Sequence, residues 1–178
     1  MLDFMQTILL AASVFLVIYI FLFRPFQVSG ESMYPTFKNK EYILTNLISL
    51  RTESLKRGDV IVFKAPTDAE KDFIKRVLGI PGDKVLLKDG FVYVNDSKVD
   101  ESAYLGPDVR TFGGAFMREG EAVTVPDEQF IVMGDNRPFS SDSREWGLLK
   151  RKNIIGKSFF VYWPVNSMRT VKNPHTNQ

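Results

Sequence analysis

The chain has no cysteine and a single histidine in 178 residues. Without cysteine it can form no disulfide, offer no thiolate nucleophile and build no thiolate-ligated zinc site. One histidine cannot furnish the usual catalytic zinc ligands. His175 lies three residues from the C-terminus in a polar tail, so a Ser-His-Asp triad would have no base. An excess of one charge is also missing: 23 Lys and Arg stand against 21 Asp and Glu, interspersed, for a net +2. That balance provides no basic face for nucleic acid and no field for an acidic substrate. There is no internal repeat or low-complexity tract, and the sequence implies neither metal nor cofactor.

What is present begins with Phe4 to Phe23, FMQTILLAASVFLVIYIFLF, a run of twenty residues without a charge. Twenty helical residues rise about 30 Å, the thickness of a bilayer's hydrocarbon core. Residues 1–24 are therefore expected to form a transmembrane anchor. It is expected to stay uncleaved, since no basic residue precedes the run and the run exceeds a secretory signal's apolar core. Arg24-Pro25 predicts its end, because proline disfavours helix at the residue before it and arginine can snorkel to headgroups. Arg24, Lys38 and Lys40 follow the run and, by the positive-inside rule alone, would keep the domain in the cytoplasm. That rule is calibrated on short loops, and large domains cross largely regardless of charge.

The rest of the chain, about 150 residues, is enough for one domain. Short β-rich runs alternate with turn signals, which predicts a mostly β domain over 25–165. Phe26 to Ser29 reads extended, and Tyr42 to Leu50 fits a strand or a short helical turn. Val60 to Phe63 has the β-branched and aromatic composition of a buried strand. Phe73 to Leu78 is another strand, closed by Ile80-Pro81-Gly82-Asp83, which suits a type II turn. Lys84 to Lys88 and Phe91 to Val94 flank Asp89-Gly90, the strongest local hairpin signal in the chain. Residues 100–122 read as an irregular insertion or lobe. Strands are expected again at Val123 to Val125, Gln129 to Met133 and Ser158 to Trp163, followed by a polar, frayed tail over 166–178.

Ser32 lies shortly after the apolar run, in Ser29-Gly30-Glu31-Ser32-Met33-Tyr34-Pro35-Thr36. With no histidine available, a serine nucleophile needs another base. Lys75, between Ile74 and Val77-Leu78, is the best candidate and Arg76 its neighbour and rival. A lysine serves only when neutral, and burial can depress its pKa by up to about 3 to 5 units, the correction a base at neutral pH requires. Taken singly, Ser32 reads equally as a turn hydroxyl and Lys75 as an exposed strand lysine.

Four segments together resemble the bacterial type I signal peptidases: Ser29 to Thr36; Arg57-Gly58-Asp59-Val60; Lys75-Arg76-Val77-Leu78-Gly79-Ile80-Pro81-Gly82-Asp83; and Gly134-Asp135-Asn136-Arg137 through Ser141-Asp142-Ser143-Arg144. They occur in that family's order, and the compact length resembles its Gram-positive branch with one membrane helix. The resemblance implies a signal-peptidase-like β domain behind a single anchor, placed at the outer face of the bacterial cytoplasmic membrane. It also implies a Ser/Lys dyad of Ser32 and Lys75 that cleaves signal peptides from exported preproteins, with the backbone N–H of Ser32 in the oxyanion hole. Gly30 stands where Gram-negative members carry a serine hydroxyl, so the backbone donor is expected to carry most of the load, with Ser29 as a displaced alternative. Asp142 and Arg144 match a supporting salt bridge and Ser140 a residue that orients the lysine; without the resemblance they read as a solvated loop with a surface ion pair.

The same resemblance implies that Phe26 to Ser29 and Asp72 to Ile74 pair with an extended peptide. Val28, Met33 and Ile74 would line a small pocket admitting alanine, although each could equally be an ordinary core residue. From composition, Tyr34 and Phe37 could form an apolar surface resting on lipid. The expected partners are preprotein signal peptides and the lipid bilayer, not nucleic acid. Two other readings share some of these features: a self-cleaving repressor-type peptidase, which would carry a DNA-binding module where this chain has its apolar run, and a non-enzymatic anchored β scaffold.

Overall fold

Strand-forming runs and turn residues, with little helical period after the first two dozen positions, dictate the architecture. The computed structural model describes residues 2–49 and 54–175, excluding the side chains of Leu2, Val17, Ile18, Ile20 and Phe21. Helix α1 (Leu2–Leu22), 21 residues long, runs straight into strand β1 (Phe23–Gln27). It stops just before Arg24-Pro25, where the proline ring excludes helical backbone and removes a donor. Phe4, Leu9, Leu10 and Phe15 are among its many exposed apolar side chains. Among the described residues, however, no helix is long and apolar enough to cross a membrane. The fold thus contains an N-terminal helix with an apolar surface, and the transmembrane reading of 4–23 is not carried by the fold itself.

After β1 come β2 (Tyr42–Asn46), β3 (Val60–Ala65) and the long β4 (Asp68–Gly79). Next are β5 (Lys84–Lys88), β6 (Phe91–Val94), β7 (Ser97–Lys98) and β8 (Ala122–Thr124), then β9 (Gln129–Met133), β10 (Leu149–Lys150), β11 (Ile154–Trp163) and β12 (Arg169–Thr170). The larger, eight-stranded sheet runs β1-β2-β11-β3-β4-β9-β10, with β12 paired to β11. A four-stranded sheet, β7-β6-β5-β8, is inserted between β4 and β9. A four-residue helix, α2 (Ser143–Trp146), follows β9 and was not anticipated, since one turn leaves no periodicity to detect. Leu50, the last residue of the 42–50 run, lies outside the described residues; its first five residues are β2.

Local chemistry accounts for the turns. Asp89 and Gly90 both have positive φ, 54° and 78°, as a two-residue type I′ connection requires, and they set the register Lys88 opposite Phe91. In the 80–83 turn the Asp83 N–H donates to the Ile80 carbonyl at 3.0 Å, and Gly82 has φ 88°. Strand β3 explains its own unbroken apolar run: Ile61 and Phe63 pack into one core cluster while Val60 and Val62 pack into another. A strand buried on both faces needs no polar alternation. A third cluster, with Leu78, Val85, Leu87, Ile131 and Met133, joins the two sheets.

Two expectations fail here. Phe37 does not face lipid; it is fully buried with Val28, Met33 and Ile43, because the turn from Met33 to Phe37 points both side chains inward, and only Tyr34 is exposed. Nor is the tail frayed over its described residues. Thr170 and Arg169 pair with Phe160 and Val161, and Asn173 donates to the Arg57 carbonyl and the Asp59 carboxylate.

Residues 99–121 form no helix or strand. They are strapped down by the Thr111 N–H on the Gly90 carbonyl, the Gly120 N–H on the Leu87 carbonyl and the Met117 N–H on the Arg144 carbonyl. Arg137 is their main tether: its buried guanidinium binds Glu101 and the Thr111 hydroxyl, and its Nε donates to the Gly134 carbonyl at 3.1 Å. Removing one partner strands the buried charge of the other, which costs about 3 to 5 kcal/mol. Arg137→Ala is therefore expected to lower the urea midpoint steeply, with the 99–121 segment becoming the first site of limited proteolysis.

Candidate active site

The Ser32 segment is a single tight turn hung between two buried anchors. Gly30, with φ +95°, swings the chain out of β1 through a conformation that L side chains rarely adopt. The Phe37 N–H then donates to the Met33 carbonyl at 2.8 Å, and the Met33 and Phe37 side chains fix the turn in the core. Asn136 clamps the turn's start: its backbone N–H donates to the Ser32 carbonyl at 2.9 Å and its side-chain amide to the Glu31 carbonyl at 3.0 Å. The Thr36 hydroxyl donates to Asp135 at the other end. Among the described residues no acceptor takes the Ser32 N–H, which leaves it available as a donor.

Lys75 arrives from β4. Neighbouring side chains on a strand point to opposite faces, which separates Lys75 from Arg76. Lys75 Nζ lies 2.8 Å from Ser32 Oγ and 3.0 Å from the Ile74 carbonyl, and the residue is only 4% exposed. Burial pushes the Lys75 ammonium down to about 8, against the opposing pull of the Asp142 and Asp135 carboxylates. Arg76 turns to the other side, where its guanidinium grips Asp135 with two bonds of 2.8 and 2.6 Å and lies 4.1 Å from the Tyr104 ring.

The Asp142 to Arg144 segment is not a solvated loop. Both side chains are buried, and Arg144 binds Asp142 through Nε at 2.8 Å and a terminal nitrogen at 2.9 Å. The same Arg144 group donates to the Arg137 carbonyl, and Asp142 accepts the Gly134 N–H at 3.1 Å. Ser140 does not hydrogen-bond the lysine: among the described residues its buried hydroxyl finds no partner, and it packs against Gly134. A Cβ at Gly134 would collide with that hydroxyl and with the Ser32 carbonyl, so glycine is what lets the 134–136 segment after β9 approach the nucleophile turn.

Ser32 and Lys75 open into a cavity of about 200 Å³. Phe26, Val28, Ser29, Asp72, Ile74 and Ser141 line it. Met33, expected in this pocket, does not line it, because its side chain is spent on anchoring the turn. The cavity lies between two strand edges. Residue Val28 uses both its N–H and its carbonyl on the 40–41 backbone, so in an antiparallel ladder the main-chain groups of Gln27 and Ser29 face the other way. Strand β4 pairs with β9 only from Arg76 onward, leaving 68–75 with one free edge. A larger cavity of about 570 Å³, bordered by Phe91, Lys98 and Arg110, touches neither Ser32 nor Lys75. Among the described residues no group of three or more His, Asp or Glu side chains is placed to hold a metal ion.

The roles of Asn136, Thr36 and Asp135 were not foreseen. Asp135 and Asn136 lie in the segment Gly134 to Arg144, yet nothing in their spacing shows that they hold the Ser32 turn from about a hundred positions away. The family described as signal peptidase, peptidase S26, matches residues 1–163. A protein named signal peptidase I S from Bacillus subtilis (strain 168) is 37% identical over 172 residues, covering 94% of this chain and 92% of its own. Signal peptidase IB from Staphylococcus aureus (strain N315) is 33% identical over 190 residues, covering 99% and 98% respectively. A crystal structure of a signal peptidase I from Enterococcus faecalis V583 superposes with a TM-score of 0.50 at 26% identity, covering 59% of this chain and 97% of that one. A mostly β fold, a serine beside a buried lysine and matches that span nearly the whole sequence converge: the chain belongs to the signal peptidase family of serine endopeptidases, peptidase S26.

Proposed function

We propose that this protein removes N-terminal signal peptides from exported preproteins with a Ser32/Lys75 dyad. The observation that carries the reading is the 2.8 Å approach of the Ser32 hydroxyl by the amine of a buried Lys75. An amine titrating near 8 is neutral in about 20% of molecules at pH 7.4, against about 0.1% for a free lysine. Neutral Lys75 takes the hydroxyl proton as Ser32 Oγ attacks the scissile carbonyl carbon. The oxyanion meets the unused Ser32 N–H, and the resulting lysine ammonium returns the proton to the departing amine. An ester on Ser32 remains. Lys75 then deprotonates a water that attacks it, releasing the signal peptide's new carboxylate and restoring the hydroxyl.

Gly30 supports a hole built from the backbone, since its φ of +95° disfavours any hydroxyl-bearing side chain there. Asp142 and Arg144 act one layer out, with Asp142 neutralised by its arginine so that it raises the lysine's pKa only in part. Ser140 contributes its packing against Gly134. The substrate lies extended between the free edges of β1 and β4, and a cavity of about 200 Å³ lined by Val28 and Ile74 suits the small side chains of an Ala-x-Ala site. Helix α1 completes the reading. Its 21 residues expose Phe4, Leu9, Leu10, Phe15 and other apolar side chains and join β1 directly, so in the proposed role of an anchor it would hold the cleft beside a signal peptide in the same bilayer. The catalytic domain is assigned to the outer face of the bacterial cytoplasmic membrane.

Three outcomes test this. Ser32→Ala and Lys75→Ala should each reduce cleavage of a preprotein after its −1 small residue by about 10³-fold or more; near-normal turnover in either variant ends the dyad assignment. The pH profile of kcat/KM should show an acidic limb near pH 8, losing about tenfold per unit below it as Lys75 gains a proton, with a plateau above. A limb at pH 10 or higher would mean burial is not tuning the amine. Finally, the full-length protein should stay in the membrane fraction through an alkaline carbonate wash and be digested by protease added to intact cells. Release by carbonate contradicts the anchor, and protection in intact cells contradicts its direction.

A further inference from the structure

Past residue 163, where the family match ends, the chain doubles back across the nucleophile turn. Strand β12 brings Arg169 to the far end of the Ser32 turn from Asn136. One terminal nitrogen of Arg169 donates to the Thr36 carbonyl at 2.6 Å and to Glu41 at 2.7 Å. The other donates to Glu41 at 2.9 Å and to the Ser167 carbonyl at 2.8 Å, while the guanidinium lies 5.8 Å from the Phe37 ring. Thr36 closes the turn that Ser32 opens. The Arg169 guanidinium supplies a donor for the Thr36 carbonyl at that end.

We infer that Arg169 is a positioning residue for catalysis: by holding the Thr36 carbonyl it fixes the Ser32 turn at the end opposite Asn136 and keeps Ser32 Oγ within reach of Lys75. Glu41 makes the fork rigid. Its carboxylate is buried, it also accepts the Lys38 N–H at 3.0 Å, and its own backbone carbonyl takes the Val28 N–H from the substrate-side strand. Burial alone would raise the Glu41 carboxyl, but Arg169 and Lys38 together hold it below its ordinary range, so the pair stays charged. Four acceptors around one planar group suit arginine's fork and exceed what the three donors of a single lysine nitrogen reach in the same directions.

The inference rests on the proposed Ser32/Lys75 chemistry, so the test has a readout that does not need a preprotein. Arg169→Lys keeps a positive partner for Glu41, whereas Arg169→Ala strands that buried carboxylate and risks misfolding. Arg169→Lys should lower kcat by about tenfold with KM and the acidic pH limb unchanged. Its melting temperature should stay within about 2 °C of wild type. Labelling of Ser32 by a sulfonyl fluoride, followed by mass spectrometry, should slow by a similar factor. Unchanged kcat and labelling in Arg169→Lys overturn the inference, as does a loss that tracks a fall in melting temperature. Should the wild type label at Ser32 yet leave preproteins uncut, the substrate reading fails while the labelling rates still decide the part played by Arg169.

Discussion

The site depends on weakening the hold of one amine on its proton next to two carboxylates. Asp142 and Asp135 both favour protonated Lys75, and burial must outweigh them. The fold limits their pull by giving each its own guanidinium: Arg144 grips Asp142 and Arg76 grips Asp135, each through two hydrogen bonds. A carboxylate paired in this way projects a much smaller field onto a neighbour. The two ion pairs are therefore electrostatic shielding for the lysine as well as struts for the loops that carry them.

That arrangement has a cost in stability. A lysine whose folded pKa is about 8 against 10.5 unfolded destabilises the native state by on the order of 3 kcal/mol. The penalty is complete below pH 8 and vanishes as pH rises through 10.5, because the unfolded chain binds the extra proton between those values. Three core clusters offset it, and they meet at the strands that bear the site. Strand β3 is buried on both faces, and β4, its partner, carries Lys75 where ladder pairing with β9 has not yet begun. The amine is thus held by a rigid strand whose open edge remains free for another chain.

Much of the scaffold was legible because its signals are local. Asp89-Gly90 specifies a type I′ hairpin by tolerance of positive φ, and Gln129 to Met133 forms a strand over the very residues its composition marks. Misreadings arose where a side chain's direction decides its role. Phe37 and Met33 look like surface and pocket residues in sequence, yet one helical turn aims both at the core. The Asp142–Arg144 ion pair, by contrast, was expected only from the resemblance, and it is the packing of strand β9 and helix α2 that buries it. Asn136 and Arg169, which hold the two ends of the Ser32 turn, gave no sequence signal for that task, since an amide or guanidinium finding a distant carbonyl leaves no periodic trace.

The sequence by itself determined the chemical inventory: a serine with no available histidine, no cysteine, a lysine set among apolar residues, and a leading apolar helix, all local or compositional properties. Tertiary structure decided everything that depends on distance. Ser32 and Lys75 are 43 positions apart, and whether their functional atoms sit at 2.8 Å or at opposite ends of the domain follows from strand order and register. So does the lysine's pKa, because desolvation belongs to the volume around an amine, and that volume is assembled from strands and loops that have no proximity in the linear chain.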